Sequence, residues 1–380
     1  MPSSQQEARA ERTVVPFEPG ALPRPLWRLG HHEVLERWQS VDRSAHGAHI
    51  VAVGDDEDGD GANWIGAALV TARPHTAYLK IVDAVGDIPA TVAAVVDHAR
   101  DRALVQVKWE GWTARPEDAA AAGFTLLRPP LVEGAEDEVG PASGYVRWLH
   151  AGAEVTEPPY YRQTTHFSCG AVTALVAQAH AGLGSAESLD RRAELTLWRD
   201  ATNFPSCEPV GLGVAVRRAW PSSSVVVHLD VDRPVLLDNF PETEKEWRAD
   251  LQSMSRTDAI RIGVPIVQHP LPPAGIRSAI GRGERVLLLI SLAGMHGFEV
   301  PHWVLCHGTV PGAVVIEDPW AAAATGDTWV DAHLLPVPDE SLDTMSDVAP
   351  DGFHGAVLIG DTPRGGPGSP TEPVDGDDEE

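Results

Sequence analysis

The apolar and polar positions of the chain divide it into two structured blocks. In the first block, short apolar runs typical of strands alternate with amphipathic stretches typical of helices. The predicted elements are strands at 48–54, 64–72 and 75–85, a helix at 89–103, a strand at 104–109, a helix at 115–122 and a strand at 125–128. This order predicts a small α/β domain.

The second block is rich in helical patterns first and in strand patterns later. Helices are predicted at 169–181, 185–198, 209–220 and 243–254, and strands at 285–293, 303–310, 313–317 and 356–360. The strands are apolar and β-branched enough to form one antiparallel sheet. The block therefore predicts a helical lobe packed on a sheet, and the whole chain an α+β protein.

Polar segments set the predicted boundaries. We expect a flexible arm at 1–25 and the first domain at 26–131. A linker rich in Gly and acidic residues is expected at 132–155, and the second domain at 156–362. Residues 363–380 end in a run of acidic residues and predict a disordered acidic tail.

Composition narrows the classes of partner. The net charge of −26 argues against a nucleic-acid partner, whose phosphates attract Lys and Arg. No apolar run reaches the roughly 18 residues that span a bilayer, so no membrane partner is expected. Three cysteines without close spacing predict free thiols, and with no signal peptide in residues 1–20 they favour a cytoplasmic location. No His/Cys set has zinc-ligand spacing, so neither a metal nor a cofactor is expected.

The most informative motif is a glutamine placed six residues before a cysteine that begins an apolar helix. The cysteine is Cys169 and the glutamine is Gln163. A helix N-terminus lowers the pKa of a thiol because it stabilises the thiolate, which is the nucleophile of cysteine peptidases. A nearby side-chain amide can donate to the oxyanion of a tetrahedral intermediate.

A histidine and an aspartate occupy neighbouring predicted strands. His302 comes at the start of one strand, and Asp318 follows the next strand sixteen residues later. Two antiparallel strands would bring them together, and a carboxylate beside an imidazole fixes its tautomer and stabilises the imidazolium. We therefore expect Cys169 as nucleophile, His302 as base, Asp318 as the residue that orients His302, and Gln163 as oxyanion donor, with a peptide or amide as substrate.

These motifs (Gln-x5-Cys-Gly, His-Trp-Val before a strand, and Asp-Pro) resemble those of the bacteriocin-processing, or double-glycine leader, cysteine peptidases. The resemblance covers residues 156–362 and is closer to a group in which such a domain follows a GNAT-type domain. It implies a papain-like fold and gives Gln163, Cys169, His302 and Asp318 the same roles. The chain departs from the pattern at Ala171, where relatives generally have Pro, and in a short stretch at 202–211.

The first domain resembles a GNAT-type acetyltransferase, including an Ala-Gly-Phe sequence at 122–124 before its last strand. Such enzymes hold the coenzyme A pyrophosphate in a Gly-rich turn at a helix N-terminus. The corresponding segment here, residues 83–89, has one glycine and two aspartates, Asp83 and Asp87. The resemblance thus implies a degenerate GNAT-like domain that does not bind acetyl-CoA, and active acetyl transfer remains an alternative.

Each candidate residue also has a structural interpretation. Cys169 could be an inert small apolar residue, Asp318 could cap a turn before Pro319, and Gln163 could lie on the surface. His296 and His307 compete with His302 for the role of base, with His307 expected on the opposite face of the sheet. The alternative function is a catalytically inactive binding or regulatory protein built from two degenerate domains. The sequence leaves open the substrate and its scissile bond, hydrolysis versus acyl transfer, whether the N-terminal domain binds any ligand, and the oligomeric state.

Overall fold

The computed structural model describes residues 11–54, 63–131, 140–150, 155–201, 204–348, 350 and 352–360. The predicted acidic tail lies outside these residues, as do the connection between the strands predicted at 48–54 and 64–72 and the start of the predicted arm. No helix within these ranges is long and apolar enough to cross a lipid bilayer.

The N-terminal domain is built on a seven-stranded sheet with the order β1-β2-β3-β4-β5-β7-β6. Its strands are β1 Glu11–Pro16, β2 His49–Gly54, β3 Trp64–Thr71, β4 Tyr78–Gly86, β5 Gln106–Glu110, β6 Thr125–Leu126 and β7 Gly144–Trp148. Strands β4 and β5 are parallel, and the other neighbours are antiparallel. The parallel pair requires a crossover connection, which a helix supplies.

Four helices accompany this sheet: α1 Leu26–Leu29, α2 His32–Gln39, α3 Ile88–Asp101 and α4 Pro116–Ala121. Helix α3 is the crossover between β4 and β5, and it buries an apolar face that includes Val92 and Val95. It begins at Asp87, whose carboxylate accepts a hydrogen bond from the backbone N–H of Ala90 at 3.0 Å. An acidic cap satisfies amide groups that the first turn of a helix leaves without partners.

Two segments that the sequence placed outside the domains belong to this sheet. The predicted arm contains β1, which pairs with β2, and the predicted linker contains β7, which pairs with β5 and β6. The side chains of β1 are mostly exposed, so the strand carries no clear apolar periodicity. Strand β7 is short and follows a Gly- and acid-rich stretch, although it buries Tyr145 and Val146. Both predicted boundaries were therefore wrong.

The C-terminal domain is built on a second seven-stranded sheet, with the order β13-β12-β11-β10-β14-β8-β9. Its strands are β8 Ser224–Leu229, β9 Ile266–Val267, β10 Arg285–Ser291, β11 Pro301–Val310, β12 Ala313–Glu317, β13 Leu335–Pro338 and β14 Gly355–Gly360. The sheet is antiparallel as predicted, except that the two-residue edge strand β9 runs parallel to β8.

Helices cover both faces of this sheet. They are α5 Cys169–His180, α6 Arg191–Ala201, α7 Pro209–Ala219, α8 Glu242–Ile262, α9 Pro273–Gly281, α10 Ala293–His296, α11 Trp329–Ala332 and α12 Asp339–Ser346. Alternate residues of β10 point to opposite sides: Leu287 packs among residues of α5 and α7, and Leu288 among residues of α9 and α12. The predicted α+β class, with a helical lobe on an antiparallel sheet after a smaller α/β domain, is confirmed.

Buried charges join the two domains. Lys80 and Lys108, two of the three lysines in the chain, lie on β4 and β5 and are almost fully buried. Lys80 contacts Asp331 at 2.5 Å, and Lys108 donates to the backbone carbonyls of Asp331 and His333 at 2.9 and 2.6 Å. Burying a charge costs free energy unless it is paired. The paired groups come from both domains, so the interface holds one relative arrangement of the two sheets.

Candidate active site

Cys169 is the first residue of α5, with its side chain half-buried. The helix lies against β11, where the Thr173 hydroxyl donates to the backbone carbonyl of Trp303 at 3.1 Å. A Cβ added at Gly170 would lie 3.0 Å from Cδ1 of Trp303, so glycine permits this close approach. The Cys-Gly sequence thus brings the N-terminus of the helix to the strand that carries the predicted base.

His302 and Asp318 meet as the strand order predicted. His302 is the second residue of β11, Asp318 directly follows β12, and the two strands are antiparallel neighbours. Nε2 of His302 lies 2.7 Å from Oδ1 of Asp318, and both side chains are buried. The same carboxylate oxygen accepts a hydrogen bond from the backbone N–H of Trp320 at 2.9 Å.

The thiol of Cys169 and the imidazole of His302 shift each other's pKa through their charges and a hydrogen bond. Burial raises the pKa of the thiol, but the His302 charge, the His302 hydrogen bond and backbone contacts at Trp303 and Gly170 outweigh it, so the net pKa is lowered. Burial lowers the pKa of His302, yet Asp318 and Cys169 raise it to about 10. These opposite shifts favour a thiolate–imidazolium pair at neutral pH.

Asp318 stays ionised within the same cluster. Burial raises the pKa of its carboxyl group, but His302 and Arg73 lower it well below the usual range. A permanently charged carboxylate can hold the His302 ring in place and stabilise its protonated form.

Gln163 lies next to the site, although its predicted role remains a prediction. Its backbone N–H donates to the carbonyl of Pro319 at 2.9 Å, which ties its segment to the residue after Asp318. Its side-chain nitrogen donates to the carbonyl of Thr165 at 2.7 Å. An amide nitrogen has two hydrogens, so one remains for an oxyanion.

The sequence analysis missed Glu194, which organises the segment before the nucleophile. Its buried carboxylate on α6 accepts hydrogen bonds from Tyr161 Oη at 3.0 Å, from the Thr164 backbone and hydroxyl at 2.8 Å each, and from the Ser168 hydroxyl. A carboxylate in a predicted amphipathic helix looks like a surface residue, so only its burial reveals this role.

It also missed Arg73, which comes from the N-terminal domain and is fully buried. Its Nη1 donates to Oδ2 of Asp318 at 2.6 Å, on the oxygen that His302 does not use. Its Nε donates to Oδ2 of Asp327 at 3.0 Å, and its Nη2 to the carbonyl of Trp320 at 3.2 Å. The two domains are therefore joined at the candidate site itself.

The competing residues have other surroundings. His307 packs against His180 and lies 3.3 Å from Glu317, so it belongs to a separate cluster. His296 ends α10 and packs against Phe298 and Trp320.

The other two cysteines differ electrostatically from Cys169. Cys207 and Cys306 are buried, and burial raises the pKa of each thiol. Of the three thiols, only that of Cys169 has a lowered pKa.

The GNAT-like domain has a cavity of about 410 Å³ beside the start of α3, lined in part by Ile88, Val92 and Trp109. The expected phosphate-binding end of that helix is capped by Asp87 itself, and Asp83 is buried against Arg37 at 2.7 Å. That this domain does not bind acetyl-CoA stays a prediction.

Residues 158–360, more than half of the chain, match the sequence pattern of the Peptidase_C39 like family. The chain belongs to the Peptidase_C39 like family. The matched region includes all four predicted site residues, Gln163, Cys169, His302 and Asp318. The chain has no match among curated proteins.

Solved structures resemble the two parts separately. A protein described as a C39-like peptidase from Bacillus anthracis is 12% identical with a TM-score of 0.30, over 54% of this chain and 97% of its own. A GNAT-family acetyltransferase from Staphylococcus aureus is 8% identical with a TM-score of 0.25, over 37% of this chain and 100% of its own. The Escherichia coli ribosomal-protein-S18-alanine N-acetyltransferase is 13% identical with a TM-score of 0.23, over 36% of this chain and 91% of its own. These similarities are too low to indicate the activity of this chain.

Proposed function

We propose that this C39-like protein is a thiol-dependent hydrolase that cleaves a peptide or amide bond. The observation that carries the proposal is the contact of His302 with the buried carboxylate of Asp318, on the strand against which the helix that begins at Cys169 lies. The charge of His302 and a hydrogen bond with it lower the pKa of the Cys169 thiol. A nucleophile, a base and an orienting group within hydrogen-bond reach form the arrangement that covalent catalysis requires.

The reaction proceeds in two steps. The Cys169 thiolate attacks the carbonyl carbon, and the His302 imidazolium gives its proton to the departing amine, which leaves an acyl-enzyme. Water then attacks the acyl carbon while His302 removes a proton from the water, and the thiolate is released with the acid product. The backbone N–H of Cys169 and the side chain of Gln163 hold the oxyanion.

Arg73 is a positioning residue in this proposal. Asp318 has two oxygens, of which one contacts His302 and the other Arg73. A carboxylate held at both oxygens cannot rotate away from the imidazole. The GNAT-like domain thus acts as part of the peptidase scaffold, whether or not it binds a ligand of its own.

The substrate proposed is a peptide in maturation in the cytoplasm, in keeping with the resemblance to leader-processing peptidases. Aromatic side chains lie beside the site in sequence and space: Phe167 packs on Trp198, and Phe298 on Trp320. Phe298 is 41% exposed, so it is available to contact apolar substrate side chains. The net charge of −26 favours a neutral or basic peptide over an acidic one.

The decisive experiment measures the pH dependence of iodoacetamide alkylation at each cysteine by peptide mapping. Because His302 lowers the pKa of the Cys169 thiol, we expect its alkylation rate to reach a plateau below pH ~8.5, the ordinary thiol pKa. Cys207 and Cys306 are internal controls that should react only in strongly alkaline solution. In His302→Ala the Cys169 profile should move to higher pH.

If Cys169 behaves like Cys207, or if His302→Ala leaves its profile unchanged, the catalytic proposal fails. The chain would then be treated as a binding or regulatory protein built on two degenerate domains.

A further inference from the structure

A second cluster of side chains lies between the two domains, beyond Arg73. One ring nitrogen each of His46 and His296 and a carboxylate oxygen of Asp327 all lie within 4.8 Å of one another. His46 ends a short 3-10 helix in the N-terminal domain, His296 ends α10, and Asp327 follows a 3-10 helix after β12. The cluster therefore exists only when the domains are together.

Three polar atoms of this cluster are buried without a hydrogen-bond partner in the described part of the chain. They are Nε2 of His46, Nε2 of His296 and Oδ1 of Asp327. His46 and Asp327 are only 4% and 3% exposed, so bulk water does not solvate them. Buried polar groups are normally paired, so three unpaired atoms in one cluster indicate a polar occupant.

The second oxygen of Asp327 is already fixed. Arg73 donates from Nε to Oδ2 of Asp327 at 3.0 Å, and its Nη2 lies 2.9 Å from the same oxygen, while Oδ1 faces Nδ1 of His46 at 3.4 Å. A carboxylate oriented by a partner on its other oxygen is typical of the second shell of metal sites. The charge of Arg73 opposes a cation, but Asp318 and Asp327 both pair with it.

The ring of His296 is held by aromatic neighbours. It stacks on Phe298 with centroids 5.8 Å apart and meets Trp320 edge-on at 5.0 Å. This packing restricts the ring and shields the cluster from solvent. The ring of His296 and the carboxylate of Asp327 are therefore held in place before any ligand binds, as in preorganised binding sites.

We propose that His46, His296 and Asp327 form a binding site for a divalent transition-metal ion of the Zn²⁺ class. Two imidazoles and one carboxylate are a donor set that such ions accept, with a further position left for water. Bonds of about 2.1 Å place tetrahedral ligand atoms roughly 3.4 Å apart, so movements of about an ångström would bring the set onto one ion. The spacing of these residues along the chain carries no zinc motif, so only the fold brings the set together.

The test uses Zn²⁺ binding to the full-length chain at neutral pH after treatment with a chelator. All variants carry Cys169→Ala, so that the Cys169 thiol cannot take up the ion. Equilibrium dialysis with metal analysis should show about one Zn²⁺ per chain. His296→Ala should weaken binding roughly tenfold or more, and Asp327→Asn, which keeps the side-chain volume, should do the same.

The matched control is His98→Ala. His49 and His98 form another imidazole pair, with their Nε2 atoms 3.2 Å apart, and removing one of them should leave Zn²⁺ binding unchanged. Zn²⁺ should also raise the thermal unfolding midpoint of the Cys169→Ala chain but not that of its His296→Ala variant, because a ligand that binds only the folded state stabilises it.

No uptake of Zn²⁺ at micromolar concentration would overturn the proposal and leave water as the occupant. Binding that survives both His296→Ala and Asp327→Asn, or that is lost in His98→Ala alone, would also overturn it. None of these readouts requires catalytic activity, so the metal site and the proposed hydrolase can fail separately.

Discussion

Two histidine–carboxylate pairs lie side by side at the end of β12 and differ in one partner. Asp318 contacts Nε2 of His302 at 2.7 Å, and Glu317, one residue earlier, contacts Nδ1 of His333 at 2.7 Å. The second nitrogen of His302 is left for the Cys169 thiol, whereas Nε2 of His333 contacts a second carboxylate, Glu157, at 2.8 Å.

The third partner decides what each pair can do. Burial lowers the pKa of His333, but two carboxylates hold it above its ordinary value. Among the described residues, both ring nitrogens of His333 contact carboxylates, those of Glu317 and Glu157. The His302 pair has the same carboxylate chemistry, but its imidazole faces a group that can be deprotonated and can attack a carbonyl. A buried His–carboxylate contact is therefore evidence of an ion pair, and the neighbouring thiol is what makes one of the two a candidate active site.

The largest expected effect separates the two histidines directly. His302→Ala should slow neutral-pH alkylation of Cys169 roughly 10–100-fold, because the thiol pKa returns toward or above about 8.5. His333→Ala should leave alkylation nearly unchanged but destabilise the fold by about 1–3 kcal/mol, since buried Glu317 loses the closer of its two histidine partners and keeps His307 at 3.3 Å. Alkylation kinetics and urea unfolding measure the two effects. Equal losses of thiol reactivity in both variants would contradict the comparison.

The second-largest effect is expected when Asp318 loses its contact with Arg73 of the N-terminal domain. Arg73→Met should slow alkylation about 10-fold in the folded fraction and cost about 3–5 kcal/mol, because two buried carboxylates lose their partner. Arg37→Met is the matched control: it breaks the ion pair with buried Asp83 inside the N-terminal domain and should leave alkylation unchanged. If Arg37→Met slows Cys169 alkylation by a similar factor, Arg73 has no specific role in positioning Asp318.

A smaller effect tests how the nucleophile helix approaches β11. Gly170→Ala should destabilise the fold by about 1–3 kcal/mol, because its Cβ would meet Trp303 at 3.0 Å and Cys207 at 3.2 Å. Gly281→Ala, at the end of α9 with nothing within 4 Å, should be neutral or stabilising by up to about 1 kcal/mol. Urea unfolding of the two variants gives the comparison, and equal stabilities would show that the helix can move away.

The smallest expected effect is a shift in the pH dependence of stability. The folded pKa of His302, about 10, exceeds its unfolded value of ~6.5, so its stabilising contribution is complete below pH ~6.5 and is lost as pH rises through about 10. Glu317 shows the opposite case: its folded pKa of about 2 is lowered, so its contribution is present above its unfolded pKa of ~4.3 and is lost as pH falls through about 2.

Cys169→Ala should change the alkaline side of the stability profile, which depends on His302, and not the acid side, which depends on Glu317. It removes one group that raises the His302 pKa, so the alkaline loss of stability should begin at lower pH, while the acid side stays unchanged. Urea midpoints between pH 2 and pH 11, with Cys207→Ala as control, check this shift. An unchanged alkaline profile would mean that Asp318 alone sets the pKa of His302.

Much of the C-terminal domain could be predicted because its signals are local. Apolar periodicity located α5, α7 and most central strands, and Ala313–Glu317 was predicted to the residue. Strand β8 was missed, and so were the short elements β9, β13 and α10. The exposed strand β1 was missed because an edge strand with mostly exposed side chains has no apolar pattern to find.

The sequence by itself determined most of the central elements and the pair formed by His302 and Asp318. These residues are only 16 positions apart on adjacent strands, so the pairing follows from strand direction. The tertiary structure alone decided the contact of Arg73 with Asp318, 245 positions away, and the convergence of His46, His296 and Asp327. Such contacts depend on how two domains pack and which charges become buried together, and no local pattern in a sequence records that.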